Sequence, residues 1–100
     1  MPEMVEEFLA WKLHNQGRTE ATIHKYRGYL TRLSKYLGEQ PLTTATNDQL
    51  EAFAGLHMHT EGLAPRSRRA LVAAIREFYK WLKRKGHINY NPAETLDYPR

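Results

Sequence analysis

The stretch Ala64 to Gly86, APRSRRALVAAIREFYKWLKRKG, constrains the fold of this chain more than any other, because it joins a hydrophobic stripe and most of the positive charge on one helical repeat. At about 100° per residue, Leu71, Ile75, Phe78 and Leu82 fall within a narrow arc that Val72 and Tyr79 widen on one side. That arc is a core face. Arg66, Arg69, Arg76, Lys80 and Arg84 fall on the far side, where Ala73 is the only small apolar residue and Glu77 the only acid. Pro65 suits the first helical position, where a missing N–H costs nothing, and Gly86 suits the left-handed position just past the end. Trp81 sits about 60° off the stripe, where partial exposure is expected.

A row of Lys and Arg opposite a core stripe is first of all a solvated helix surface. Two features point further. Between Glu61 and Gly86 eight Lys or Arg stand against two acids, so the net charge of +4 is concentrated in this one segment. Arg66, Ser67, Arg68 and Arg69 also cluster at the helix start, where free N–H groups and the positive end of the helix dipole favour a phosphate. A nucleic-acid backbone is the partner this chemistry fits. The alternative is a protein-interaction bundle that uses the same basic amphipathic helix, with Phe78, Tyr79 and Trp81 facing a protein groove.

One hundred residues suffice for one small domain with a single core. With 41% apolar and 26% charged residues the composition is that of a soluble globular chain. The absence of cysteine excludes disulfides and thiolate metal sites. The longest apolar run, Ala70 to Ile75, is far too short to span a bilayer, and the acidic N-terminus is no signal peptide. A cytoplasmic protein with no membrane partner is expected.

The rest of the chain reads as further helices. Pro2 to Gln16 forms the first, with Val5, Phe8, Leu9, Trp11 and Leu13 inward, Glu3, Glu6 and Glu7 complementing the dipole, and Gly17 ending it. Lys12 on this acidic helix has no expected role. The second runs from Glu20 to Leu37, capped by Thr19 and ended by Gly38. Ile23, Tyr26, Leu30, Leu33 and Leu37 form its stripe, opposite Lys25, Gly28, Arg32 and Lys35. Gly28 costs roughly 1 kcal/mol of helix propensity relative to Ala, which marks either an incidental weakness or a close approach. Leu42 tucks back from the loop that follows. Thr46-Asn47-Asp48-Gln49 matches a capping box that opens a third helix, with Leu50, Phe53, Ala54 and His57 inward, fading near His59. After the basic helix, Asn91-Pro92 opens a short last helix through Leu96, and a linker follows. No repeat, low-complexity tract or strand-like alternation is present, so the fold class is all-α, with four main helices and a short fifth segment.

Catalytic signatures are missing: there is no phosphate loop, nucleotide fingerprint, zinc-protease pair or nucleophile elbow. His57 and His59, two residues apart on a helix, point their rings in different directions and have no third ligand. No cofactor or metal is called for.

Read in order, the chain resembles the N-terminal core-binding, SAM-like domain of tyrosine recombinases and phage integrases. The resemblance covers nearly the whole chain. It is carried by Phe8-Leu9, Thr22-Ile23-His24-Lys25-Tyr26-Arg27, Leu30, Leu37, Leu42, Asp48-Gln49-Leu50, Gly62-Leu63 and Ser67, then by the run Leu71 to Leu82, Gly86-His87-Ile88, Asn91-Pro92 and Leu96. It implies a four-helix orthogonal bundle at 1–91 that grips double-stranded DNA at a recombination site. Residues 92–100 are then the start of a linker to a catalytic domain of the same polypeptide, and further recombinase protomers are partners on DNA. The chain alone is expected not to be an enzyme, its parent being a tyrosine-type DNA recombinase. In similar domains the second and fourth helices face DNA, which here implies contacts from Thr22, Lys25 and Arg27, and from Arg66, Ser67, Arg69 and Arg76.

Overall fold

The computed structural model describes residues 3–99. These form four helices: α1 (Glu3–His14), α2 (Glu20–Leu37), a bent α3 that begins at Asn47–Ala52, and α4 (Pro65–Arg84). A single 3₁₀ turn, Leu42–Thr44, lies between α2 and α3, and no strand occurs among the described residues. The first helix is shorter than the sequence reading, and Pro2, placed at its start, lies outside the described residues.

Local chemistry sets most boundaries. The Thr19 side chain accepts from the Thr22 amide to cap α2, and Gly38 ends it at φ 68°, a conformation that costs glycine little. At α3 the Thr46 hydroxyl accepts from the Gln49 amide while the Gln49 side chain accepts from the Thr46 amide, completing the capping box. The third helix does fade near His59, ending at Thr60, but it is not α-helical throughout. Its middle, Phe53–His57, winds as a π turn before a last α turn at Met58–Thr60. The wider turn leaves Leu56 three-quarters exposed while Phe53, Ala54 and Met58 are buried.

α4 is the centre of the core. Its buried side chains are Leu71, Val72, Ala74, Ile75, Phe78, Tyr79, Trp81 and Leu82, about half of the helical circumference. Val5, Phe8 and Leu9 of α1, Ile23, Leu30 and Leu33 of α2, and Leu50, Phe53 and Met58 of α3 meet this surface. Fully burying each such side chain contributes about 1.5–3 kcal/mol. Trp81, expected to be partly exposed, is only 3% exposed, because Phe8 at 5.6 Å between ring centroids and Phe78 cover it. The Tyr79 hydroxyl donates to the Leu42 carbonyl at 2.6 Å, which ties the 3₁₀ turn to α4. Burial pushes that phenol upward in pKa.

The expected last helix at Pro92–Leu96 is a run of turns instead. The Asn91 side chain accepts from the Ala93 amide at 2.9 Å as a helix cap does, but the backbone bonds that follow, Glu94 to Asn91 and Leu96 to Ala93, each span three positions and close turns only. The segment is nevertheless anchored, since Ala93 and Leu96 are buried in the same core as the helices and Asn47 donates to the Pro92 carbonyl at 2.9 Å. The core therefore continues past residue 91.

Candidate nucleic-acid interface

The start of α4 has no side-chain cap. Ala64 occupies the capping position in an extended conformation (φ −63°, ψ 152°) and has no side-chain oxygen to offer the first-turn amides, and Pro65 follows it. Arg66 and Arg69 are exposed there and Ser67 is partly buried. Further along, Lys80 is exposed and Ala73 partly so. On the helical wheel Arg66, Ala73 and Lys80 fall within about 40° of one another. They make a narrow cationic lane with a small residue at its centre. Lys80 belongs to this lane although the resemblance did not single it out; its exposed position on the far side of the wheel is the signal.

Arg84, five whole turns from Arg66, continues the lane and lies over the Trp11 ring, 4.6 Å from its centroid, while Trp11 itself packs against the core beside Phe8. Along one side of the lane lies the C-terminal segment. Arg76 donates through Nη1 to the carbonyls of Glu94 at 3.3 Å and Leu96 at 2.7 Å, and its guanidinium lies 5.5 Å from the centre of the Tyr98 ring. Arg69 donates through Nε to the Pro99 carbonyl at 2.9 Å. Carbonyl partners satisfy these donors and leave both positive charges unneutralised.

Glu77, read as the one acid on the basic face, turns away from it. Its Oε1 accepts from Lys12 Nζ at 2.7 Å and its other oxygen accepts from the Tyr26 hydroxyl. Lys12, which the sequence left without a role, is the one buried charged residue among the described residues, 1% exposed. Burial pushes the Glu77 carboxyl up, but the Lys12 and Tyr26 hydrogen bonds and the Lys12 charge outweigh it and hold the group below the ordinary glutamate range. The Tyr26 phenol is pushed up by burial and by the same carboxylate. This network joins α1, α2 and α4 beneath the basic face and removes the acid from it.

On α2, the sequence-expected residues divide. Lys25 is exposed, and Gly28 leaves the helix backbone open, with nothing within 4 Å of where a Cβ would stand. Thr22 takes part in the helix cap, its hydroxyl 3.1 Å from that of Thr19. Arg27 is held by Glu6 of α1 through two bonds, Nη2 to Oε1 at 2.6 Å and Nε to Oε2 at 3.3 Å. The hydrogen bond lowers the Glu6 pKa and raises that of Arg27. Of the seven residues the sequence singled out, Arg66, Ser67 and Lys25 lack such claims among the described contacts, while Arg69, Arg76, Arg27 and Thr22 already have partners.

The chain belongs to the phage integrase N-terminal SAM-like domain family, whose model matches residues 5–86. Its relatives are tyrosine recombinases: it is 33% identical over its whole length to tyrosine recombinase XerC of Xylella fastidiosa (strain M23), covering 35% of that protein. It is 28% identical over 96% of its length to XerC of Shewanella amazonensis, and 28% identical over its whole length to tyrosine recombinase XerD of Lacticaseibacillus casei. These alignments cover 32% and 34% of the relatives, so the chain spans about one third of the curated proteins it matches. No solved structure gives a significant match. Among the described residues no helix is long and apolar enough to cross a membrane.

Proposed function

We propose that this chain is the DNA-gripping domain of a site-specific tyrosine recombinase, holding one face of double-stranded DNA for a catalytic domain of the same polypeptide, with further recombinase protomers on the same site. The observation that carries the reading is the exposed lane Arg66, Ala73, Lys80 running from an uncapped helix start. Cationic side chains along it suit successive phosphates, the free first-turn amides suit another, and a small residue at the centre lets the duplex approach. Lys25 and the open backbone at Gly28 extend the surface onto α2. The relatives' name, tyrosine recombinase, supports the assignment to DNA recombination. A protein groove has less support, because Phe78, Tyr79 and Trp81 are all buried.

Phosphate contacts dominate such binding, so affinity falls steeply with salt. With about four phosphates neutralised, the slope of log K against log salt is about −3.6. Fluorescence anisotropy of a labelled duplex, titrated at several salt concentrations, measures it. Failure to bind at low salt contradicts the reading.

A further inference from the structure

We propose that Asp97–Pro99 is a flap over the basic face, which bound DNA displaces to take Arg69 while Arg76 and Leu96 stay in place as its hinge. The inference rests on the DNA-binding reading above. Two hydrogen-bonded pegs hold the segment, with the Tyr98 ring 5.5 Å from the Arg76 guanidinium between them, and the pegs differ in strength. The inner peg is partly buried: Arg76 donates to the Leu96 carbonyl at 2.7 Å, and the Leu96 side chain is 2% exposed in the core. The outer peg, Arg69 to the Pro99 carbonyl at 2.9 Å, is exposed, and Tyr98 between the two is half exposed.

The space beneath the flap is not filled. A cleft of about 270 Å³ lies between Asp97–Pro99 and Ala54, Gly55, Arg68 and Val72. Arg68 Nε is buried there without a hydrogen-bond partner among the described residues. Little packing therefore resists the flap's departure. The donor at the outer peg gains on exchange, because a phosphate brings an opposite charge and can take two parallel guanidinium N–H bonds where the Pro99 carbonyl accepts one. The flap thus sets how much of the basic face is available.

A flap closed between about two-thirds and nine-tenths of the time lowers apparent affinity about three- to tenfold. The double substitution Tyr98→Gly/Pro99→Gly in the full chain loosens it without changing net charge. The expected result is duplex binding about three- to tenfold tighter with an unchanged salt slope, since the bound state has the same phosphate contacts. Unchanged affinity overturns the proposal. So does tighter binding with a slope steeper by about 0.9, which means that Arg69 stays on Pro99 in the wild-type complex. On the unaltered chain, saturating DNA is expected to lower the ¹H–¹⁵N NOE of the Asp97 and Tyr98 amides while that of Leu96 holds. Retained NOE values at all three, with α4 amides shifting, overturn the flap and leave the DNA reading standing. If no α4 amide shifts, the DNA reading fails and the flap with it.

Discussion

Lys12 and Glu77 are the residues at which a helix-by-helix reading of this chain and its three-dimensional structure part. Lys12 falls within the Val5, Phe8 and Leu9 arc of α1 but its charge was read as solvent-facing, and Glu77 lies about 100° from Phe78, outside the α4 stripe. Their bond spans 65 positions of sequence, so no local pattern records it. The pair has a consequence for acid stability. The folded Glu77 carboxyl titrates below its ordinary value of 4.5, so between the two values the unfolded chain binds more protons. The stabilisation is present above the ordinary value and is lost as pH falls through the folded one. Thermal melts between about pH 6 and pH 3 are expected to show the wild-type midpoint falling more steeply than that of Glu77→Gln. Equal slopes mean that the pair adds nothing to stability. Capping residues were legible for the opposite reason, since Thr19, Thr46 and Gln49 act within three positions of themselves.

At the scale of elements, α4 was legible in its ends and its main stripe, but its buried arc is broader than the stripe. The reason is position: α1, α2, α3 and the C-terminal segment all meet it, so Ala74 and Trp81 are covered as well as Leu71 and Leu82. Phe8 is the α1 side chain that closes this cover, with its ring 5.3 Å from Phe78, 5.6 Å from Trp81 and 6.4 Å from Tyr26. Phe8→Ala is expected to cost about 3–5 kcal/mol in urea denaturation, through lost transfer energy and the cavity left behind. A loss below about 1 kcal/mol would show that α1 repacks freely. The π turn of α3 and the turn run after Asn91 were not legible, because each is a compromise between local winding and fixed anchors elsewhere, Phe53 and Met58 in one case, Ala93 and Leu96 in the other.

For the whole molecule, the division of labour is electrostatic. Two acids are paired with cations, Glu77 with Lys12 and Glu6 with Arg27, and the start of α4 is left positive. The sequence concentrated that charge visibly, whereas the occupation of Arg69 and Arg76 by the chain's own carbonyls depends on where residues 94–99 run and was not readable. The most direct measurement is the salt dependence of duplex binding by Arg66→Ala/Arg69→Ala. Neither side chain lies in the core, so circular dichroism and the melting midpoint are expected to match wild type. Removing up to two phosphate contacts shrinks the logarithmic salt slope by up to about 1.8 and weakens binding at low salt. Wild-type affinity and slope in this variant would contradict the account, because the basic start of α4 would then be a solvated surface and no part of a DNA grip.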